Sequence, residues 1–153
     1  MDRNEKDIFF MEEALRLARL AAELDEVPIG AVLVAGDEII ARAKNERESA
    51  RCATRHAEII AIEEACRRLG GWRIPHATLY VTLEPCPMCA GAILGARIDR
   101  VVFGAYDPKS GCFGSILNLK EYPFNHHPEI TGGILGDEAR KILTEYFRKK
   151  RTK

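Results

Sequence analysis

The sequence predicts a three-layer α/β fold in which a mixed central sheet of about five strands is flanked by helices. One observation is the order of the patterns, because amphipathic helical segments alternate with short runs rich in β-branched residues. A second is that the stretch between the third and fourth strands has room for a helical crossover, which makes that pair parallel. The chain has 153 residues, and we expect residues 1–153 to form one domain.

The start of the chain predicts a helix followed by a hairpin. Residues 7–24 repeat apolar side chains at three-to-four spacing, which is typical of a helix packed on a sheet. Two strands are predicted next, over residues 29–35 and 38–44, and a turn at Gly36-Asp37 joins them as an antiparallel pair. Asn45 ends the second strand, a position where asparagine usually forms a turn.

A second helix is predicted over residues 56–69, after an irregular polar loop over residues 46–55. Gly70-Gly71 ends this helix. His56 and Glu58 lie in its first turn, where the positive end of the helix favours a nearby carboxylate and a neutral imidazole. The buried stripe is predicted at the larger apolar side chains, which are Ile59, Ile62, Cys66 and Leu69.

The next elements are a strand, a short helix and a parallel strand. The first strand covers residues 77–83. Pro87 suits the first position of a helix, so we predict Cys86 as the N-cap of a helix that ends near residue 96. Cys86 and Cys89 then lie at a positive helix end, which lowers a thiol pKa and favours the thiolate. The parallel strand follows over residues 100–106.

The remainder of the chain is rich in loops until the last helix. A short helix is predicted at residues 115–119, an edge strand at residues 129–132 and a final helix at residues 137–150. The tail over residues 148–153 carries five basic residues in six. Because the formal net charge of the whole chain is zero, binding to a polyanion such as RNA would need a local patch of this kind.

Three side chains in two of these segments form a metal-binding pattern. Cys86 and Cys89 lie three residues apart, and His56 lies 30 residues before Cys86. Two thiolates and an imidazole are good ligands for Zn²⁺, and catalytic zinc sites use three protein ligands and one water. Glu58 lies two residues after His56, where it could reach that water and transfer protons. We therefore predict one Zn²⁺ per chain, with Glu58 as the catalytic residue.

A structural zinc site is the alternative, and such a site needs a fourth ligand. Cys52, Cys66 and His76 can be proposed for it, but Cys66 lies about three helical turns from His56, too far to bind the same ion. The pair His126-His127 could form a second metal site, although we interpret it as part of a loop near substrate or solvent.

Cysteine content and hydropathy predict the compartment. Two of the five cysteines have metal spacing, and the odd number argues against a disulfide framework. The sequence does not begin with a signal-peptide pattern, and it has no apolar run approaching the length of about 18 residues expected for a membrane span. We expect a cytoplasmic protein that does not enter a membrane.

His56-Ala57-Glu58 and Pro85-Cys86-Pro87-Met88-Cys89 match the signature H-x-E…P-C-x-x-C. The chain resembles the zinc-dependent nucleobase deaminases, and the resemblance implies their cytidine-deaminase-like α/β/α fold. Further segments are similar to the tRNA-specific adenosine branch of that family, and they cover residues 26–34, 78–86, 100–105, 107–111 and 124–126. The similarity extends over roughly residues 8–148, which is most of the chain.

The resemblance implies an activity and a set of roles. The activity is hydrolytic deamination of adenosine to inosine at the wobble position of a tRNA anticodon, carried out by a homodimer. The zinc and proton-transfer roles fall on the same four residues that the spacing selects. The resemblance also implies that Asn45 and the backbone N–H of Ala57 bind the unstacked base. Asn125 and the basic end of the last helix, which includes Arg148, would contact the RNA.

Two other functions remain open at this point. A deaminase of free guanine, cytosine or a nucleoside would use the same fold without needing the basic tail or the Asn125 loop. A zinc-stabilised RNA-binding module without catalysis would need neither Glu58 nor an open coordination position. The roles of residues 46–55 and of Cys112 have no clear family pattern, and we interpret Cys112 as a small buried side chain.

Overall fold

The computed structural model describes residues 1–152, and within them a five-stranded sheet lies between two layers of helices. Lys153, the last residue of the predicted domain and tail, lies outside the described residues. The strands are β1 (Gly30–Ala35), β2 (Glu38–Lys44), β3 (Ala77–Leu83), β4 (Arg100–Ala105) and β5 (Glu129–Thr131). The α-helices are α1 (Arg3–Glu23), α2 (Ala57–Leu69), α3 (Pro87–Gly95) and α4 (Gly136–Arg151). Among the helices of this part of the chain, none combines the length and apolar character that a bilayer crossing requires.

The order of strands across the sheet is β2-β1-β3-β4-β5. β1 pairs antiparallel with β2 and with β3, whereas β4 pairs parallel with β3 and with β5. The predicted hairpin, the parallel crossover and the mixed sheet are therefore confirmed. Because α3 is the crossover between β3 and β4, its N-terminus follows the carboxyl end of β3, where α/β proteins commonly build their sites.

Each face of the sheet has its own apolar core, because successive strand residues point to opposite faces. α1 and α4 pack on one face and α2 and α3 on the other. The core beneath α1 and α4 includes Phe10, Met11, Val32, Tyr80 and Val102. The core beneath α2 and α3 includes Leu33, Leu79, Val81, Ile93 and Phe103.

The first helix begins earlier than predicted, at Arg3 rather than residue 7. The reason is a capping box, in which the Asp2 carboxylate accepts from the backbone N–H of Glu5 at 2.8 Å and Asp2 N–H donates to the Glu5 carboxylate. The buried stripe also contains an ion pair, because Arg100 donates two 2.7 Å hydrogen bonds to Asp7. Tyr80 donates a third to Asp7, so this network joins α1, β3 and β4.

The predicted buried stripe of α2 is wrong. The side chains that face the sheet are Ala57, Glu58, Ala61 and Ala65, whereas Leu69 is exposed and Ile59, Ile62 and Cys66 are only partly buried. Alanines at four-residue spacing let the helix backbone approach the sheet closely, and the larger apolar side chains then lie along its flank. The helix itself starts at Ala57, with His56 as its N-cap.

The short helix predicted at residues 115–119 is also wrong. A single 3₁₀ turn lies later, at Leu119–Glu121, because the Asn118 side chain caps it by accepting from the backbone N–H of Lys120 at 3.1 Å. The preceding residues form a tight loop that is closed by a bridge between Phe113 and Asn118.

Candidate active site

Two helix N-termini bring the predicted metal ligands together. His56 is the N-cap of α2, and Cys86 is the N-cap of α3 with Pro87 at the first helical position, as the sequence predicted. Neither side chain makes the capping hydrogen bond that is usual at this position. Both are free to point at each other, and Cys89 lies one turn into α3 on the same side.

The distances among the three side chains fit a metal ion. His56 Nδ1 lies 3.7 Å from Cys86 Sγ and 3.5 Å from Cys89 Sγ. A tetrahedral zinc ion with Zn–S bonds of about 2.3 Å and a Zn–N bond of about 2.1 Å separates sulfur from nitrogen by about 3.6 Å. The ligand atoms of the three side chains all lie within 4.8 Å of one another. Among residues 1–152, this is the one group of His, Cys, Asp or Glu side chains that could hold a metal ion.

The proposed fourth ligands of a structural zinc site make other contacts. Cys52 Sγ lies 3.3 Å from Thr54 Oγ1, and Cys66 Sγ donates to the carbonyl of Trp72 at 3.6 Å. His76 is exposed beside Asp99. A metal ion held by the three clustered residues would therefore keep one coordination position open, which is the arrangement of catalytic zinc sites.

Glu58 is a buried carboxylic acid beside this cluster. Its side chain is 4% exposed, and its Oε1 has no hydrogen-bond partner among the described residues. A buried carboxylate oxygen without a partner is costly, so the site is built to receive a further hydrogen-bonding group there. Burial raises the pKa of Glu58 to about 7, which suits a group that takes and gives protons near neutrality.

The two thiols differ in their acidity. The hydrogen bond from Cys89 opposes the effect of burial and, with the contact to His56, lowers the pKa of Cys86 to about 4. The contact with Cys86 and burial together raise the pKa of Cys89, because a second thiolate next to the first is repelled. The predicted lowering of a thiol pKa is therefore found at Cys86, whereas at Cys89 burial and the neighbouring thiolate act in the opposite direction. The hydrogen bond with Cys86 also raises the pKa of His56.

Asn45 and Ala57, the residues expected at the base, line the same small cleft as His56. The Asn45 side chain is buried, where its Nδ2 donates to the carbonyl of Val27 at 3.3 Å and its Oδ1 accepts from the backbone N–H of Arg47 at 3.1 Å. One N–H and one lone pair of this amide are left for a ligand. Arg47 also lines the cleft, so the loop over residues 46–55 forms part of its wall.

Asn125 and Arg148, the expected RNA contacts, are both exposed and do not line this cleft. Arg148 lies in the last turn of α4, beside Phe147 and Arg151. The latter two line a separate groove of about 440 Å³ together with Lys109 and Ser110. The tail has less free positive charge than the sequence indicates, because Lys150 Nζ pairs with Asp25 at 2.8 Å.

The remaining residues singled out by the sequence have structural positions. His126 Nε2 lies 2.5 Å from the carbonyl of Ile98, and His127 Nε2 lies 2.9 Å from the carbonyl of Tyr122, so neither shares a metal cluster with the other in the described chain. Cys112 is 2% exposed, which confirms its interpretation as a small buried side chain.

Sequence reasoning missed two buried carboxylates next to the site, Glu26 and Glu84. Glu26 accepts from the backbone N–H groups of Glu48 and Ser49 at 2.9 and 2.6 Å, and it thereby holds the loop over residues 46–55. Although burial opposes it, these hydrogen bonds lower the pKa of Glu26. No local signal in the sequence marked either carboxylate, because their hydrogen-bond donors lie 22 to 31 residues away along the chain.

Comparison with known proteins defines the class to which this fold and site belong. The model of the MafB19-like deaminase family matches residues 4–151, and the chain belongs to that family of deaminases.

Individual relatives indicate which particular deaminases the chain is similar to in sequence and structure. The tRNA-specific adenosine deaminase of Bacillus subtilis is 53% identical over 149 residues, which are 97% of this chain and 92% of that protein. A structure from a study of A-to-I editing by tRNA:A34 deaminases at the wobble position has a TM-score of 0.86 and 49% identity, and the match covers 88% of this chain and 99% of that one. A guanine deaminase from Nitrosomonas europaea matches with a TM-score of 0.74 and 25% identity over 90% and 82% of the two chains.

These similarities confirm the predicted resemblance to the tRNA-specific branch of the deaminases. They also confirm the cytidine-deaminase-like α/β/α fold with its mixed five-stranded sheet. The chain is accordingly an enzyme of the hydrolytic deaminase class.

Proposed function

We propose that this protein deaminates adenosine to inosine in RNA, at the wobble position of a tRNA anticodon, and that residues 1–153 act as one zinc-dependent domain in the cytoplasm. The observation that carries the chemistry is the cluster of His56, Cys86 and Cys89 beside a buried Glu58 whose Oε1 has no partner in the described chain. The choice of substrate is supported by the 53% identity to the tRNA-specific adenosine deaminase of Bacillus subtilis.

In this proposal His56 Nδ1, Cys86 Sγ and Cys89 Sγ hold one Zn²⁺ per chain. Zinc, when bound, supplies a hydroxide nucleophile near neutral pH. Glu58 takes up the proton released at that step and delivers it to N1 of the adenine. With the oxygen of the water now bonded to C6, Glu58 accepts the remaining proton of that hydroxyl group and gives it to the amine, so that the C6–N bond breaks, ammonia leaves and the C6=O group of inosine forms.

The base reaches this site only when it is unstacked, so the substrate is a single-stranded loop. Asn45 offers its spare N–H and lone pair to the base edge, and Ala57 offers its backbone N–H at the start of α2. Asn125 and Arg148 contact the RNA outside the cleft, where their exposure leaves them free to do so.

A deaminase of free guanine is the second candidate, because a guanine deaminase from Nitrosomonas europaea shares the fold with a TM-score of 0.74. The deciding experiment incubates the purified protein with an anticodon stem-loop and, separately, with free guanine, cytosine and adenosine. Inosine in the stem-loop and no ammonia from the free compounds is the expected result. Release of ammonia from guanine, with the stem-loop unchanged, would show that the protein is a guanine deaminase instead. Binding of RNA without turnover of any substrate would indicate a non-catalytic RNA-binding module stabilised by zinc.

Arg148→Gln should weaken RNA binding and reduce its salt dependence. Each phosphate contact on single-stranded nucleic acid contributes about 0.7 to the slope of log K against log salt, so we expect the slope to fall by about that amount. The matched control is Arg67→Gln, which removes the same charge from an exposed arginine at the end of α2. Equal slopes for Arg148→Gln and wild type, measured by RNA titration at several salt concentrations, would exclude this contact.

We also propose that the protein is a homodimer, and that the outer face of α3 contributes to the interface. This helix has no charged, amide or hydroxyl side chain, yet Pro87, Gly91 and Gly95 along one side of it are exposed. A helix that is apolar all round is normally buried. A Cβ atom added at Gly91 or Gly95 would meet nothing within 4 Å in the protomer, so the protomer itself does not require glycine there.

Gly91→Arg should shift the protein from dimer to monomer at micromolar concentration, because the new side chain occupies the space that the second copy fills. The control is Gly71→Arg, since Gly71 also has nothing within 4 Å of an added Cβ but lies outside α3. Sedimentation velocity at several protein concentrations measures the change. A Gly91→Arg protein that sediments as wild type would remove α3 from the interface.

A further inference from the structure

Glu84 is a buried acidic residue that the proposed chemistry does not use. It lies directly after β3 and two residues before Cys86, and it is 2% exposed. Among the described residues no lysine or arginine pairs with it. A carboxylate buried without a cation must be satisfied by hydrogen-bond donors, so those donors show what the residue is for.

All the donors to the Glu84 carboxylate come from one loop, residues 107–115. Oε1 accepts from the backbone N–H of Asp107 at 2.9 Å and from the Ser115 hydroxyl. Oε2 accepts from the backbone N–H groups of Phe113 and Ser115, each at 3.1 Å. Both ends of the loop are thus bound to one side chain, and hydrogen bonds to a charged acceptor are stronger than those to a neutral one.

The middle of the loop is held against the same segment. Cys112 N–H donates to the carbonyl of Pro85 at 2.9 Å. Gly111 packs so closely on the carboxylate that an added Cβ would lie 2.2 Å from Glu84 Cδ. Only glycine fits here, because the obstacle is a buried group that is bound on both oxygens and cannot move aside.

This loop has an outer side that is open to a ligand. Lys109 and Ser110 line the groove that Phe147 and Arg151 of α4 close from the other side. The loop therefore faces the basic end of α4, where the proposed function places RNA. Its inner side is bound to the peptide segment that carries the metal ligand Cys86.

The geometry points to Glu84 as a positioning residue that fixes the loop over residues 107–115 relative to the metal site and so preorganises the surface on which RNA binds. This inference rests on the proposed function. Glu84 contacts no reacting atom and acts through the loop. Releasing the loop would require RNA to order it again on binding, which weakens binding without changing the bound arrangement.

Glu84→Gln tests this role, because the amide keeps the shape but turns an N–H₂ group towards backbone N–H donors. We expect the KM for an anticodon stem-loop to rise at least about tenfold, with kcat within about threefold and zinc content unchanged. Ser115→Ala removes one donor and should raise KM by less. Glu121→Gln, at an exposed position of the 3₁₀ turn, should leave both constants unchanged.

Asp7→Asn distinguishes a general loss of stability from a loss of loop positioning, because it weakens a buried network that does not touch the loop. It should lower Tm and leave the KM near the wild-type value. Amide hydrogen exchange without RNA adds a direct readout, because Phe113 and Ser115 should lose protection in Glu84→Gln and keep it in Asp7→Asn. Gly111→Ala disturbs the same contact from the loop side and should reproduce the rise in KM.

The outcomes separate this inference from the proposed function. An active wild-type enzyme whose KM for RNA is unchanged by both Glu84→Gln and Ser115→Ala would overturn the positioning role alone. Wild-type protein that leaves the stem-loop unchanged would overturn the proposed function and this inference with it.

Discussion

Glu58→Gln should slow inosine formation in a single turnover by at least about 10³–10⁴-fold, while zinc content, fold and RNA affinity stay unchanged. General acid–base catalysis by one positioned group contributes roughly 10²–10⁴-fold. In the proposed mechanism Glu58 serves the attacking water, the ring nitrogen and the leaving amine, so the loss should lie in the upper part of that range. Glutamine has nearly the same volume but cannot accept the proton.

The structure indicates that Glu58→Gln should remove proton transfer without disturbing the fold. Glu58 Oε1 has no hydrogen-bond partner in the described chain, so the amide breaks no contact that holds the fold at that atom. Glu63→Gln is the matched control, because Glu63 lies on the same helix at an exposed position. If Glu58 only favoured the helix N-terminus, its loss would affect stability by about 0.3–1 kcal/mol and leave the rate unchanged. A Glu58→Gln rate within about tenfold of wild type, with zinc bound, would remove Glu58 from the mechanism.

Cys86→Ala and Cys89→Ala should each lose the metal and all activity, and removal of zinc from the wild-type protein should lower its Tm. The proposed ligands come from the starts of two helices, so one bound ion would join α2 to α3 in the folded state only. At a free zinc concentration 1,000 times the dissociation constant, this linkage stabilises the fold by about 4 kcal/mol. For a chain of this length, that corresponds to a change in Tm of about 8–16 °C.

Cys66→Ala and Cys52→Ala are the matched controls, because both thiols are partly buried and bonded away from the cluster. They should retain one zinc per chain in metal analysis. Full zinc occupancy in both ligand variants would contradict the assignment of Cys86 and Cys89. A melting curve that verified zinc removal leaves unchanged would contradict the linkage between α2 and α3.

The proximity of His56, Cys86 and Cys89 could be predicted because local rules determine the position of each side chain on its helix. Pro87 starts α3 and thereby places Cys86 at the N-cap, and His56 occupies the same position on α2. Spacing within a segment can be taken directly from the sequence. The parallel pairing of β3 and β4 could also be predicted, because the length of the connection between the two strands leaves room for a helical crossover.

Contacts between distant segments were not readable. Glu84 binds a loop 23 to 31 residues away, and Glu26 binds one 22 to 23 residues away, so no local pattern indicated either. The stripe of α2 was missed for another reason. Sequence patterns give weight to large apolar side chains, whereas the distance between helix and sheet favoured the small ones.

The alanine face of α2 determines more than how the helix packs. His56 moves with α2, whereas Cys86 and Cys89 are carried by β3 and α3. The thickness of the layer formed by Ala57, Ala61 and Ala65 therefore affects the distance between His56 and the two cysteines. A single added methylene at Ala61 would lift the helix, because a close-packed interior has no spare volume to absorb it. If these three residues bind zinc as proposed, the affinity for zinc can therefore change through substitutions in core residues that never touch the ion.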